Sequence, residues 1–189
     1  SGVGAPTDLT LDDLHRIRPA WDVDDVPGTG ATMIVELHGR SQLWTKQVSI
    51  ADEKARIEGW GGQPLVVPVD LLRSVRLDIE GERAEFDKSV AAPAAELDRL
   101  FIKNDRDQLD SVTGLVESLD AEQLKIDVAG QIRAVPRGKI FGIVFAQPVA
   151  AKSEPKFLVK LRDGLLGGEK LSVTNGKATL SLGTNSEAQ

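Results

Sequence analysis

A chain of 189 residues is long enough for one domain or two small ones, and 41% hydrophobic against 28% charged residues is a balance that can bury cores. A net charge of −6, a pI near 5.0 and the lack of any basic run argue against nucleic acid as a partner, because phosphate binding draws on an excess of Lys and Arg. The absence of cysteine excludes disulfides, thiolate metal sites and a Cys nucleophile, and no stretch approaches the ~20 apolar residues of a membrane-spanning helix.

The chain opens Ser-Gly-Val-Gly-Ala-Pro-Thr, without Met and without the apolar stretch of a signal peptide. That reads as a trimmed fragment or as the mature end left after signal cleavage. Within an N-terminal segment spanning residues 1–30, Leu9 to Arg18 admits two readings. Thr10 followed by two Asp residues would cap a helix. Alternatively, residues 9–18 form an orphaned closing strand that completes a unit elsewhere in the chain. Residues 19–30 form a linker, marked by Pro19, Pro27, Gly28 and Gly30.

Residues 31–80 read as a first barrel-like repeat. Strands are expected at Thr32 to Leu37, Leu43 to Ile50, Ala55 to Trp60 and Pro64 to Val67, with a turn at Gly39. Val67-Pro68 then ends a strand, because proline fixes φ and has no N–H to give a ladder. A single tight turn, of 3₁₀ type, leads into a closing strand through Leu72 and Val75. Residues 81–97 form a short helical connector, rich in Ala and acidic residues and broken before Pro93.

A second repeat is expected over residues 98–146. Its strands are Arg99 to Lys103, Val112 to Leu119, Leu124 to Val128 and Ile132 to Val135, the third alternating apolar and polar residues as a half-buried strand does. It ends on Val135-Pro136-Arg137-Gly138-Lys139-Ile140, an echo of Val67-Pro68-Val69-Asp70-Leu71-Leu72. A linker over 147–155 precedes a partial third repeat over 156–183. That repeat has strands at Phe157 to Leu161, Leu171 to Val173 and Lys177 to Leu182, hairpin signals at Asp163-Gly164 and Asn175-Gly176, and no Pro turn or closing strand. Residues 184–189 are a tail. The fold class is therefore mainly β: tandem small SH3-like or Sm-like barrel repeats with a short helical insertion.

The stretch Leu109 to Phe145, with its phrase Leu-Asp-Ser-Val-Thr-Gly-Leu-Val-Glu-Ser-Leu-Asp and its ending Val-Pro-Arg-Gly-Lys-Ile-Phe-Gly-Ile-Val-Phe, resembles uncharacterised secreted proteins of planctomycete type. In those proteins SH3-like or Sm-like β-repeats precede a domain classed as a new kind of carbohydrate-binding module, which is not visible in this chain. The resemblance runs from about Leu9 to Leu182 and rests on spaced Gly, Pro and apolar positions, with no catalytic signature to carry over. It implies an exported, periplasmic or cell-envelope protein, with a cytoplasmic location as the alternative.

Candidate sites are few. His15 and His38 fall in different units, with no nucleophile or orienting carboxylate at a recognisable spacing, so no catalytic residue is assigned. Asp105, Asp107 and Asp110 gather oxygen ligands in a polar turn, as calcium demands, but the turn lacks the Gly and distal Glu of an EF-hand. A solvated hairpin turn is the competing reading; Asp22, Asp24 and Asp25 pose the same choice. Gly28-Thr29-Gly30-Ala31-Thr32 bears a faint likeness to a phosphate loop, but it lacks the Lys and precedes a strand instead of a helix, so it is discounted. Trp60, before Gly61-Gly62, and Trp44 are candidate ligand-binding aromatics; Trp60 is alternatively a lid on its own core, and Trp44, beside Leu43, one that packs on a sheet face.

The expected function is a non-catalytic structural or interaction module of a larger exported protein, presenting a carbohydrate-binding domain to the envelope. Its partner would be a protein or a carbohydrate, with peptide capture at an exposed strand edge as one mode. Two alternatives stand: an Sm-like nucleic-acid-binding protein, and a carbohydrate- or peptide-binding module in its own right. No cofactor beyond calcium is implied.

Overall fold

Period-two alternation governs most of the chain, and apolar residues on every second position make strands that bury one face. The computed structural model describes residues 7–10, 16–18, 32–58, 64–79, 84–94, 96–147, 154–161, 164–174 and 177–182. Among these residues the protein is mainly β, with seventeen strands and one α-helix.

Two strands lie at the N-terminal end, β1 (Thr7–Thr10) and β2 (Arg16–Arg18). The next stretch carries β3 (Met33–Leu37), β4 (Ser41–Thr45), β5 (Gln47–Ala51), β6 (Lys54–Glu58), β7 (Leu65–Pro68) and β8 (Leu72–Arg76), with a 3₁₀ turn at Val69–Leu71. After α1 (Ala84–Ala91) come β9 (Asp98–Lys103), β10 (Leu109–Leu119), β11 (Gln123–Val128), β12 (Gln131–Pro136), a second 3₁₀ turn at Arg137–Lys139 and β13 (Ile140–Val144). The last four are β14 (Phe157–Leu161), β15 (Gly164–Gly168), β16 (Lys170–Thr174) and β17 (Lys177–Ser181).

One pairing order recurs. β8 returns antiparallel to β3 across Val75 and Val35, and β13 returns to β9 across Ile143 and Leu100. Likewise β2 pairs with β14, Ile17 opposite Val159, while β1 pairs with β17, Leu9 opposite Ala178. Pro68, Pro136 and Thr10 each end a strand opposite the first residue of its partner: Lys54, Gln123 and Lys177. Thus the N-terminal strands pair with the C-terminal ones, as two separate strands; residues 11–15 lie outside the described set.

Fourteen strands join into one large antiparallel sheet, and β1, β17 and β16 form a smaller one. The large sheet crosses from stretch to stretch at β8·β13, β15·β4 and β10·β5, the last through Leu119 and Ile50. Among the described residues no path closes into a barrel: β7 and β8 are consecutive but do not pair.

The main core is continuous across all the stretches, from Val35, Leu43 and Ile57 through Leu100, Leu124 and Ile126 to Val159, Leu166 and Leu180. A smaller core lies under α1, where Phe86, Phe101, Phe141 and Val144 meet. The helix ends where Ala92 donates to the Lys88 carbonyl, one residue before Pro93.

Two details depart from the strand expectations. The strand foreseen over Leu43 to Ile50 is broken at Lys46, where the Thr45 hydroxyl donates to the carbonyls of Gln47 and Glu58. The sequence marks only a hairpin turn at Asp163-Gly164, whereas Gly164–Gly168 is the strand β15 with all five residues buried. Its glycines permit that burial: a Cβ on Gly167 would collide with the carbonyl oxygen of Gly39.

Candidate binding groove

Directly opposed residues of an antiparallel pair share a face, so the strand register maps the outer surface of the central strands. One row runs Trp44, Ile34, Arg76, Gly142, Phe101 across β4, β3, β8, β13 and β9. The next runs Gln42, Glu36, Ser74, Val144, Arg99 on the same face. Helix α1 covers only one end of these rows. Phe86 descends onto Gly142, where a Cβ would lie 2.6 Å from its ring carbon, and meets Phe101 and Phe141 edge-on at 5.3 Å. The other end, over β3 and β4, lies beside the helix instead of beneath it.

The result is a groove of about 380 Å³ whose floor includes Ile34, Glu36, Gln42 and Arg76, with Phe86 and Asp87 of α1 as a wall. Its polar groups are held in place. The hydroxyl of Ser74 donates to Glu36 Oε2 at 3.1 Å. Arg76 lies over the rings of Phe86 and Phe141, 5.3 and 5.4 Å from their centroids, and pairs with Asp87 at 2.7 Å. Arg73 donates from Nη2 to the Val90 carbonyl at 3.0 Å, tying the helix to β8. Two guanidinium groups thus stand against two carboxylates, and the groove carries no net formal charge. It offers a carboxylate, a primary amide and part-used guanidinium donors at the positions a polar, uncharged ligand would touch.

Of the residues singled out in the sequence, Trp44 falls on this face. It is half-buried on β4, opposite Ile34 of the groove floor and two residues from Gln42. Trp60, His15, Asp22, Asp24, Asp25 and Gly28 to Gly30 lie outside the described residues. His38 is half-buried at a turn; its backbone N–H donates to the Leu71 carbonyl, and burial, with Arg73 nearby, holds its imidazole below the usual range.

Asp105 and Asp107 sit in the turn between β9 and β10, and Asp110 on β10; all three are exposed. That turn is organised by Asn104, whose Oδ1 accepts the backbone N–H groups of Arg106 and Gln108, each at 3.0 Å. Among the described residues, no three His, Cys, Asp or Glu side chains group together as a metal ion requires.

A second hollow of about 370 Å³ includes Glu53, Asp70, Asp98 and Phe145 in its lining. Asp98 is 8% exposed, and both its carboxylate oxygens are occupied by backbone N–H groups, of Val116 and Ala146, so it serves the fold.

Glu36, Gln42 and Arg76 were not foreseen as site residues. The one sequence signal they carry is polarity at alternate positions of strands that are otherwise apolar. That pattern also describes any solvated sheet face, and only the placement of α1 distinguishes this one. No helix among the described residues is long and apolar enough to cross a membrane. No family model, curated protein or solved structure matches the chain.

Proposed function

We propose that this chain is a non-catalytic interaction module of a larger exported or envelope protein, built of three small SH3-like or Sm-like units. The return of a closing strand to an opening one, after the turns at Pro68 and Pro136, and the pairing of β2 with β14 support that unit. Its ligand is a saccharide held in the groove between α1 and the β3–β4 surface. One observation carries this reading: Trp44 shares its sheet face with Gln42, Glu36 and Arg76. An indole covers the C–H face of a sugar ring, while amide, carboxylate and guanidinium groups match neighbouring hydroxyls. A groove of balanced charge favours an uncharged polyol over a charged ligand.

The test is calorimetric titration with a panel of neutral oligosaccharides, repeated on Trp44→Ala and Gln42→Ala. Binding that both substitutions weaken is the expected result. A panel that produces no heat, or affinity indifferent to both changes, defeats the reading.

A further inference from the structure

The strands β12, β11, β10, β5, β6 and β7 pair in that order, so β12 and β7 are the two ends of one antiparallel run. The ends differ. Both end at a proline, Pro68 and Pro136, but β7 is only four residues long and follows Pro64, so it offers a short edge for further pairing. β12 is six residues long and pairs only with β11 among the described residues. Its first four residues are all exposed, and Ile132 reaches 67% exposure, the highest of any large apolar side chain described.

The hydrogen-bonding phase of β12 follows from its turn. Ala129 and Gly130 have φ of 53° and 84°, as a two-residue type I′ hairpin requires, with Val128 opposite Gln131. The pair flanking such a turn exchanges both hydrogen bonds, and the pairs alternate from there. Gln131, Arg133 and Val135 therefore bond to β11, while the N–H and C=O groups of Ile132 and Ala134 point out from the sheet edge. Pro136 falls at a position whose nitrogen faces outward, where its missing N–H costs the ladder nothing.

Charge identifies the occupant. The chain carries −6, yet residues 131–139 hold three basic residues, Arg133, Arg137 and Lys139, and no acidic one. Arg137 is half-buried and donates to the carbonyls of Val48 and Asp120, while Arg133 and Lys139 are exposed. On the outer face, exposed Leu115 lies in register with Asp127 and Ile132, and the Asp127 carboxylate accepts the Gly130 N–H at 2.7 Å. From this edge we infer that β12 docks an extended peptide by strand addition, one that alternates acidic and apolar residues. Its apolar side chains lie beside Ile132, and its carboxylates lie on the opposite face with Arg133. This surface is separate from the groove and stands whether or not the groove holds a saccharide.

The probe is a fluorescein-labelled decapeptide alternating Glu and Val, followed by anisotropy, with a Lys-Val decapeptide as its counterpart. The Glu-Val peptide binds the whole chain, binding weakens as salt is raised, and the Lys-Val peptide does not bind. Ala134→Pro removes an outward N–H without touching the ladder to β11 and lowers affinity by about tenfold or more. Arg133→Glu, on an exposed side chain, does the same and decides the matter should Ala134→Pro fail to fold. Equal binding of both peptides, or affinity unchanged in Arg133→Glu, overturns the inference. So does a concentration-dependent self-association in sedimentation that Arg133→Glu abolishes while the peptide fails to bind, since the edge then receives a second copy of the chain.

Discussion

The carboxylate of Asp98 accepts the backbone N–H of Val116 at 2.8 Å, across the irregularity that interrupts the β10–β11 register between Val116 and Ser118. Its other oxygen takes the N–H of Ala146 at 2.8 Å, just past the end of β13. One buried side chain of β9 thus ties the stretch of β10 where pairing passes from β9 to β11 to the end of β13, which also pairs with β9. Asp98→Asn keeps one acceptor oxygen and strands one of the two amides. It should cost about 1–3 kcal/mol, the penalty of a buried unsatisfied donor, with Asp98→Ala costing more. Urea unfolding measures both, and an unchanged midpoint in Asp98→Asn would mean water replaces the lost acceptor.

The same residue sets a pH dependence of unusual sign. Burial pushes the Asp98 carboxyl above the ordinary carboxylate range, against the pull of its two N–H donors. The folded protein therefore binds this proton more tightly than the unfolded chain. Its contribution is fully present below the unfolded pKa and is lost as pH rises through the folded one. At exposed Asp120 the sign is opposite: the amides of Gln123 and Glu122 hold the carboxyl low, so its contribution is lost as pH falls. The stability gap between wild type and Asp98→Asn should widen on going from pH 7 into the carboxylate range. The gap to Asp120→Asn should narrow. Denaturant unfolding at a series of pH values checks both, and parallel slopes would refute the assignment.

Gly142 makes room for α1, and with it the wall of the groove. A Cβ there would lie 2.6 Å from Phe86 Cε2 and 2.8 Å from the Val75 carbonyl oxygen. The ring can give way and the backbone cannot. Gly142→Ala should therefore cost about 1–3 kcal/mol by overpacking, and Phe86→Leu in the same chain should recover only part of it. Thermal unfolding of the two single variants and the double one measures the recovery. Full rescue would locate the whole strain at the ring.

Much of the sheet could be read before the structure, because its signals are local. Pro68 and Pro136 mark strand ends through their missing N–H, and Leu124 to Val128 declares its buried face by alternation. β15 escaped for a physical reason. Gly-Leu-Leu-Gly-Gly has neither alternation nor β-branched residues, and its strand exists because neighbouring backbones need glycine's lack of a side chain. The groove's lining was not legible in the sequence; Trp44, the one candidate on its sheet face, stands opposite Ile34 of the floor. Trp44 is noticeable for its type, but Glu36 and Arg76 acquire a role only when Phe86 fixes where the helix stops.

Whether the two ends of the chain act as one folding unit is open to a direct test. β14 and β17 each find a partner at the N-terminal end, in β2 and β1, and the buried core includes Val159 and Leu180 of those two strands. Removing residues 1–20 strips four residue pairs from β17 and three from β14, and it exposes one edge of each. Hydrogen exchange should then accelerate strongly across residues 157–161 and 177–181, with residues 33–76 and 98–144 retaining most of their protection. A synthetic peptide of residues 1–20 added back should restore that protection, since the missing contacts are backbone ladders that a separate segment can supply. Unchanged exchange in the truncated chain would show that these pairings contribute nothing to the stability of the C-terminal strands.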